Sequence, residues 1–277
     1  MLLDGKKIAK EIKENLKKEI DLLEKKPHLA VVLVGNDPAS LTYVNSKKKQ
    51  SEALGMISTV IKLEASTTTE ALLEVVHTLN DDPNVHGILV QLPLPKHIDT
   101  NIIVDAIDVK KDVDGLTPLN VGYLRNDRAK LVPCTPKGIM TLLDKYEIEL
   151  SGKNVLVIGR SQLVGKPIAN LLMARNATVT QAHSKTQNLN KFIENSDIIV
   201  VAIGRKEMIK AEDLKENQIV IDVGIHRDDK GLVGDVEKRA YDKVRYITPV
   251  PGGVGPMTLV SLFENTLIAY KIQEGIA

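Results

Sequence analysis

The sequence predicts an α/β protein of two domains, the second with the pattern of a Rossmann-like dinucleotide-binding domain. Two observations support this fold class. Apolar runs of strand length alternate with longer segments in which apolar residues recur at helical spacing. The alternation also restarts after a rigid connector at residues 133–136, so we place the domain boundary near residue 138, with domains at 1–138 and 139–258.

The first half alternates helices and strands in a clear order. Residues 5–26 predict an amphipathic helix with one buried stripe, and 30–34 predict a buried strand. Asp37 followed by Pro38 is typical of a helix start. The pattern then predicts strand 56–63, helix 67–80, strand 87–90 and helix 99–107.

The second half repeats the alternation more compactly. A helix at 137–146 leads into strand 155–158, which is followed by a glycine turn and a further helix. Three short β-rich runs follow, at 197–203, 218–223 and 245–248. A helix over 259–277 ends the chain.

The glycine turn after residue 158 predicts an anion site, because backbone N–H groups and a helix dipole converge there. Gly159 matches the first glycine of G-x-G-x-x-G, but Ser161 and Val164 occupy the other two glycine positions, and Gly165 comes one place late. From the turn alone, close helix packing without a nucleotide is the alternative.

The segment after the next strand favours NADP over NAD. A NAD site usually carries an acid about 20 residues after the glycines, and residues 177–184 contain none. Arg160 in the turn, with Ser184 and Lys185 after the strand, suits a 2′-phosphate. The alternative is that Arg160 is a solvated loop charge, in which case the two cofactors would bind with comparable affinity.

Composition narrows the class of partner. The 277 residues include 37 basic and 36 acidic side chains, net charge +1, and aromatics are 3%, so neither nucleic acid nor a membrane surface is the expected partner. The lone Cys134 excludes an internal disulfide, and no apolar run could span a bilayer. The charged N-terminus predicts an intracellular, cytoplasmic protein whose partner is a small molecule.

Tyr43 and Lys47 stand four residues apart on the helix that begins at Pro38, so they share one face. A lysine beside a phenol in a dehydrated cleft can take part in proton transfer. The alternative is that Lys47 lies in solvent, because it opens a run of three lysines.

Gln91 and Asp114 are the other polar candidates in the first half. Gln91 follows strand 87–90, at the end of a strand where ligands bind in α/β sheets, although an ordinary surface amide would also fit. Asp114 suits recognition of a donor-rich heterocycle, and turn chemistry at Asp114-Gly115 is the alternative. Nothing nearby completes a metal site, so none is predicted.

Together these segments closely resemble the bifunctional methylenetetrahydrofolate dehydrogenase/methenyltetrahydrofolate cyclohydrolase family, and the resemblance covers nearly the whole chain. The matching motifs are Y-V-N-S-K at 43–47, Q-L-P-L-P at 91–95, D-V-D-G at 112–115, P-C-T-P-K-G at 133–138, G-R-S-Q-L-V-G-K-P at 159–167, H-S-K-T at 183–186, D-V-G-I at 222–225, G-D-V at 234–236 and P-V-P-G-G-V-G-P-M-T at 249–258.

The resemblance implies two domains flanking a cleft, with helix 259–277 returning to the first domain. It implies oxidation of 5,10-methylenetetrahydrofolate by NADP+ and hydrolysis of the methenyl product to 10-formyltetrahydrofolate. It also implies a homodimer that binds tetrahydrofolate derivatives and serves one-carbon metabolism and purine biosynthesis.

The resemblance also implies roles for single residues. Lys47 is the proton-transfer group, Tyr43 its neighbour and a stacking surface, Gln91 the partner that orients Lys47, and Asp114 the contact for the pterin. The cofactor is expected on Gly159, Arg160, Ser161, Gly165 and Ser184, with Ile225 by the nicotinamide. The folate is expected against Pro251, Gly252 and Gly253.

Two residues depart from the family pattern: His226 stands where Asn is more common, and Leu41 where a small or polar residue is common. A monofunctional dehydrogenase is the nearest alternative, but Tyr43, Lys47 and Gln91 argue against it. A non-catalytic NADP sensor or a hydroxy-acid dehydrogenase is the alternative from another class. The latter would need His183 or His226 as base, and the sequence shows no evident carboxylate to orient either.

Overall fold

The computed structural model describes residues 1–229 and 231–276. The chain divides into two compact units, and each is built on its own parallel sheet. The three-stranded unit comprises Ile12–Val132 and residues 262–276, and the five-stranded unit comprises Met1–Glu11 and Pro133–Ser261. Both sheets are parallel and carry helices, which confirms the predicted α/β class.

The three-stranded unit has the strand order β2-β1-β3. Its strands are β1 (His28–Val34), β2 (Ile57–Leu63) and β3 (Gly87–Val90). The helices that lie wholly within this unit are α2 (Pro38–Ala53), α3 (Thr69–Asp81), α4 (Thr100–Asp105) and α5 (Pro118–Arg125). The central strand β1 is almost wholly buried, and side chains of α3 and α4 such as Leu72, Val76 and Ile103 pack with it into one core.

The five-stranded unit has the order β10-β7-β6-β4-β5. Its strands are β4 (Asn154–Ile158), β5 (Thr178–Ala182), β6 (Ile198–Val201), β7 (Ile219–Asp222) and β10 (Tyr246–Ile247), and an antiparallel hairpin is formed by β8 (His226–Asp228) and β9 (Gly231–Val233). The helices that lie wholly within this unit are α6 (Cys134–Lys145), α7 (Gly165–Ala174) and α8 (Leu189–Glu194). Two 3₁₀ turns are present at Ala211–Asp213 and Lys238–Asp242.

Two helices contribute residues to both units. Helix α1 (Gly5–Asp21) begins in the five-stranded unit, and helix α9 (Val254–Gln273) ends in the three-stranded unit. The first residues belong to the five-stranded unit because Leu2 forms a parallel bridge with Ile247 and the Leu3 N–H donates to the Ile247 carbonyl at 2.8 Å. The units therefore divide the chain at different residues from the predicted boundary near 138.

Four predicted helix limits differ from the structure by three residues or more. Two of them are the start of α6, at Cys134 rather than 137, and the end of α9, at Gln273 rather than 277. Helix α1 stops at Asp21 rather than 26, because the ammonium of Lys26 turns back and donates to the carbonyls of Ile20 and Leu23 at 2.9 and 2.7 Å. Helix α9 begins at Val254 rather than 259. Pro256 lies in its first turn, where the missing N–H of a proline has no helical partner to lose.

None of the helices formed by residues 1–229 and 231–276 combines the length and the apolar character that a bilayer span requires.

Candidate active site

Lys47 is separated from the rest of its lysine run by a specific contact. Helix α2 starts at Pro38 because the Asp37 carboxylate accepts the Ser40 N–H at 2.7 Å. In the third turn of the helix, Lys47 Nζ donates to Gln91 Oε1 at 2.9 Å. Lys47 is partly buried, whereas Lys48 and Lys49 are exposed. The alternative that Lys47 lies in solvent is therefore wrong, whereas Lys48 and Lys49 do lie in solvent.

Gln91 is held in place by its neighbours on both sides. Its N–H donates to the Val32 carbonyl at 2.8 Å, which extends the pairing of β1 with β3 by one residue. Its side-chain Nε2 donates to the Leu92 carbonyl at 2.7 Å. Because the amide nitrogen is engaged there, the amide oxygen is directed to Lys47. The predicted partnership between these two side chains is present in the structure.

Tyr43 lies one turn before Lys47 on α2 and is 53% exposed. An exposed aromatic ring on a helix can take a flat ligand by stacking. The structure thus leaves the predicted stacking surface accessible.

The two acids of the D-V-D-G motif have different surroundings. Asp112 is buried, and its carboxylate accepts the N–H groups of Leu116 and Thr117 at 3.1 and 2.8 Å and the side-chain amide of Asn120 at 2.8 Å. Asp112 therefore shapes the turn. Asp114 is half-buried and remains the candidate for ligand recognition.

Asn265 on α9 is a residue of this region that the sequence analysis did not identify. It is fully buried, and its side-chain amide donates to the carbonyls of Val113 and Val132, both at 2.8 Å. It thereby anchors the backbone next to Asp114. Its position on an apolar helical face gave no distinguishing signal in the sequence.

The glycine turn after β4 is tightly packed. A Cβ on Gly165 would lie 2.4 Å from the Gly159 carbonyl oxygen, so only glycine allows α7 to begin this close to the turn. Gly159 has φ +135°, and a Cβ there would lie 2.3 Å from the Ala202 carbonyl oxygen. Gly165 therefore allows the close packing that the third glycine of the common fingerprint allows, although it comes one place late.

Ser161 stabilises the start of α7. Its hydroxyl oxygen accepts the N–H groups of Val164 and Gly165 at 3.1 and 3.3 Å. Two of the N–H groups at the start of the helix are thus satisfied by the chain itself. The exposed hydroxyl remains at the edge of the turn where an anion would bind.

Arg160 and Ser184 occupy equivalent places just beyond the ends of neighbouring strands. Strands β4 and β5 are parallel with Ile158 opposite Ala182, so both residues lie two positions beyond the same pair. Both are exposed. Gln181 joins the two strand ends, because its Nε2 donates to the Gly159 carbonyl at 3.0 Å. The structure therefore brings both strand ends to one corner of the sheet.

Ile225 is 46% exposed, and its Cδ1 lies 3.6 Å from where a Cβ of Gly255 would be. The preceding segment, Pro251 to Gly253, is fastened to the chain's beginning, since the Lys6 N–H donates to the Gly252 carbonyl at 2.8 Å. Ile225 and the glycine-rich segment thus approach each other within the five-stranded unit.

One inference from the sequence is wrong. His226 does have an orienting carboxylate, because its Nε2 lies 2.7 Å from Asp235 Oδ1. Asp235 belongs to the G-D-V motif at 234–236, nine residues along the chain, and a contact across the β8–β9 hairpin could not be read from spacing alone. Within the described residues, no three His, Cys, Asp or Glu side chains gather into a possible metal site.

Comparison with known proteins identifies the family. Two family models match: the tetrahydrofolate dehydrogenase/cyclohydrolase catalytic domain over residues 3–114, and the NAD(P)-binding domain of the same family over residues 133–274. The bifunctional protein FolD of Campylobacter hominis is 53% identical over 98% of this chain and 97% of its own length. FolD of Bacillus subtilis is 49% identical over the same shares of both chains.

Solved structures agree with the sequence matches. The bifunctional FolD of Campylobacter jejuni superposes with a TM-score of 0.96 at 47% identity, over 98% of this chain and 99% of that one. The Trypanosoma brucei methylenetetrahydrofolate dehydrogenase-cyclohydrolase, complexed with NADP cofactor and inhibitor, gives a TM-score of 0.94 at 40% identity over 98% and 97% of the two chains. The chain therefore belongs to the tetrahydrofolate dehydrogenase/cyclohydrolase family.

Proposed function

We propose that this chain is a bifunctional folate enzyme. It oxidises 5,10-methylenetetrahydrofolate to 5,10-methenyltetrahydrofolate with NADP+, and it then hydrolyses the methenyl product to 10-formyltetrahydrofolate. The observation that carries the proposal is the hydrogen bond of 2.9 Å between Lys47 Nζ and Gln91 Oε1, at the carboxyl end of β3. In this proposal the oriented amine serves the proton transfer of the second reaction.

The residues around the glycine turn fit NADP. Gly159 and Gly165 let helix α7 begin close to the turn, and the exposed Arg160 and Ser184 stand at one corner, with no acid in β5. We assign the phosphates to Gly159, Arg160, Ser161, Gly165 and Ser184, and the nicotinamide side to Ile225. Bound NADP+ supplies the hydride acceptor.

The first reaction requires orientation more than acid or base catalysis. Loss of a hydride from the methylene bridge leaves a delocalised cation, so no proton has to move. In this proposal the Asp114 carboxylate accepts hydrogen bonds from pterin N–H groups, and the exposed ring of Tyr43 stacks on the folate. Pro251, Gly252 and Gly253 provide further folate contacts.

The second reaction requires proton transfer. Water adds to the methenyl carbon and gives up both of its protons, one on addition and one when the formyl C=O forms. The departing ring nitrogen takes up one of them and solvent takes the other, so the overall hydrolysis releases a single proton. We assign to Lys47 the transfer of a proton from the water to the departing nitrogen. Gln91 orients the amine, and the two backbone contacts of Gln91 keep its oxygen aimed at Nζ.

Lys47→Met tests this assignment. We expect cyclohydrolase activity, followed by the decay of methenyltetrahydrofolate absorbance, to fall by a factor of about 100 or more. NADP+ binding, measured by titration, should be intact. Lys49→Met is the matched control, because it removes an exposed lysine from the same helix. Full ring-opening activity in Lys47→Met would remove Lys47 from the mechanism.

A single assay separates the alternative functions. Methylenetetrahydrofolate is supplied with NADP+ or NAD+, and the reduced cofactor and the methenyl compound are followed separately. Transient methenyl with NADP+ reduction is the expected result. Lasting accumulation of methenyl would favour a monofunctional dehydrogenase, and NADP+ binding without turnover would favour a sensor.

We further propose that the protein is a cytoplasmic homodimer, that it does not bind nucleic acid, and that its 10-formyl product serves purine biosynthesis. The near-neutral net charge of +1 supports a small-molecule partner over a polyanion. Sedimentation equilibrium measures the oligomeric state, and a monomer at micromolar concentration would refute the dimer.

A further inference from the structure

Asp235 is a fully buried carboxylate that holds a loop of the five-stranded sheet. Its Oδ2 accepts the N–H groups of Ile203 and Gly204 at 2.7 and 2.9 Å, and its Oδ1 accepts the N–H of Arg205 at 2.8 Å. These amides follow β6 directly, and we call residues 202–205 the β6 loop. Three amide hydrogen bonds to a buried carboxylate restrain such a loop, and they do so more strongly where water is kept from the carboxylate.

The β6 loop lies at the place in the sheet where a dinucleotide binds. The chain passes from β4 to β5 on one side and returns to β6 on the other side of β4, so the connections reverse between β4 and β6. Ligands of open α/β sheets bind at the carboxyl ends of the strands at this reversal. A Cβ on Gly159 would lie 2.3 Å from the Ala202 carbonyl oxygen, so the glycine turn and the β6 loop are in contact.

The orientation of the β6 loop follows from peptide geometry. In a trans peptide the carbonyl points away from the N–H of the next residue. Because the N–H groups of Ile203, Gly204 and Arg205 face Asp235, the carbonyls of Ala202, Ile203 and Gly204 point away from it. The Ala202 carbonyl oxygen packs against Gly159 in the glycine turn. The other two carbonyls are acceptors suited to the hydroxyl and amide groups of a nicotinamide riboside.

His226 is the fourth donor to Asp235. Its Nε2 lies 2.7 Å from Oδ1, the oxygen that also accepts the Arg205 N–H. The imidazole is 23% exposed, so it closes the outer side of the buried carboxylate. His226 immediately follows Ile225, the residue assigned to the nicotinamide side, and opens β8. A single contact thus links the β6 loop to the segment that carries Ile225.

We propose that His226 is a positioning residue for the nicotinamide half of NADP+ and acts through Asp235 on the β6 loop; this inference rests on the proposed function. Without the imidazole, Asp235 keeps its amide donors but is open to water on one side. The β6 loop then samples other conformations. The apparent affinity for NADP+ falls by the fraction of molecules that have left the binding conformation.

Three variants of the full-length protein test the proposal. His226→Ala removes the donor. His226→Gln keeps an N–H donor at nearly the same reach. Arg227→Ala is the matched control, because it changes the neighbouring exposed residue on the same strand. Each is measured for the Kd of NADP+, for the KM of NADP+ and kcat of the dehydrogenase, and for cyclohydrolase activity on methenyltetrahydrofolate without nucleotide.

For His226→Ala, we expect Kd and KM for NADP+ to rise about tenfold. We expect kcat to change by less than about twofold and the cyclohydrolase to be unchanged, since that reaction uses no nucleotide. His226→Gln should restore both constants to within about threefold of the original protein. Arg227→Ala should match the original protein.

Unchanged Kd and KM in His226→Ala would overturn the proposal, and so would a parallel loss of both activities, which would indicate general damage to the fold. Failure of His226→Gln to restore binding would also overturn it. If the unaltered protein binds NADP+ but does not reduce it, the proposed function fails. The Kd values for NADP+ of the three variants still test the role of His226.

Discussion

Lys47, Lys48 and Lys49 have the same charge but different surroundings. Only Lys47 contacts a side chain that is itself held by the backbone, through Gln91. An amine that transfers protons has to be oriented, and a solvated lysine is not. The difference between these three neighbours is the strongest support at the level of single residues for the proposed cyclohydrolase mechanism.

The orienting role of Gln91 leads to a prediction. Gln91→Leu keeps the size of the side chain but removes the acceptor for Lys47, so we expect the cyclohydrolase kcat to fall by a factor of about 10 to 100. The affinity for NADP+ should not change. Initial rates of methenyl decay measure the effect, with the exposed Gln187→Leu as control. A rate equal to that of the original protein would show that Lys47 needs no such partner.

Arg160 leads to a prediction about cofactor choice. Arg160→Ser removes a guanidinium that is proposed to pair with the 2′-phosphate, so KM for NADP+ should rise by a factor of about 10 to 100. KM for NAD+, which lacks that phosphate, should change by less than about twofold and is the internal control. Equal changes for both cofactors would favour the solvated-charge alternative.

At the scale of elements, helix α7 can start where it does because Gly165 has no side chain. A Cβ on Gly165 would lie 2.4 Å from the Gly159 carbonyl oxygen and 2.8 Å from the Arg160 nitrogen. Both are backbone atoms, so the helix could accept a side chain only by moving away from the turn. The packing of α7 and the shape of the proposed phosphate site are therefore coupled.

Gly165→Ala tests this coupling. We expect the free energy of unfolding to fall by about 1–3 kcal/mol and the Kd of NADP+ to rise, because the new methyl group displaces the start of α7. Gly122→Ala is the control, since it lies inside helix α5 with no atom within 4 Å of the new Cβ. It should be neutral or stabilising by up to about 1 kcal/mol. Urea unfolding measures both, and equal effects would contradict the clash.

At the scale of the whole molecule, the two units contain buried groups that respond to pH in opposite directions. In the three-stranded unit, His86 is buried, its Nδ1 accepts the His28 N–H at 3.0 Å, and burial lowers its pKa. In the five-stranded unit, burial raises the pKa of Asp222 to about 6. Its carboxylate accepts the N–H groups of Gly224, Asp235 and Val236.

The sign of each effect follows from which state binds more protons. Unfolded His86 binds a proton near its ordinary pKa of about 6.5, and the folded residue, whose pKa is lowered by burial, binds one only at lower pH, so His86 lowers stability as pH falls through about 6.5. Folded Asp222 takes up its proton at about 6 and the unfolded residue only at 3.8, so Asp222 adds stability as pH falls between these values. The gain from Asp222 approaches about 3 kcal/mol below pH 3.8, and about 1 kcal/mol of it falls between pH 7 and 5.

We therefore expect acidification from pH 7 to 5 to weaken the three-stranded unit and to strengthen the five-stranded unit. Hydrogen exchange of peptides from each unit, corrected for the intrinsic effect of pH on exchange, measures the two responses separately. Asp222→Asn removes the carboxyl group that titrates. The five-stranded unit of this variant should therefore gain no stability on acidification, whatever the overall stability of the variant. The same change in both units would contradict the assignment to these two residues.

The comparisons confirm the family, the α/β class, the bifunctional activity and NADP that the sequence predicts. The roles of single site residues stay predictions. Periodicity also placed most strands to within a few residues, because the alternation of buried strand and amphipathic helix is a local property of the chain. The end of α1 and the start of α9 were wrong because periodicity shows neither the backbone contacts of Lys26 nor that the first turn of α9 tolerates Pro256.

The sequence by itself determined the order of the elements, the motifs and the chemistry they can support, since residue type and spacing along the chain are enough for these. Only the tertiary structure decided which of the three lysines is held, which acid of D-V-D-G is structural, and that Asp235 orients His226. The contacts of Lys47 and His226 join separate segments that folding brings together, and those of Asp112 depend on the conformation of one turn. Residue type and spacing along the chain determine neither the distance between two segments nor the direction of a side chain within a turn.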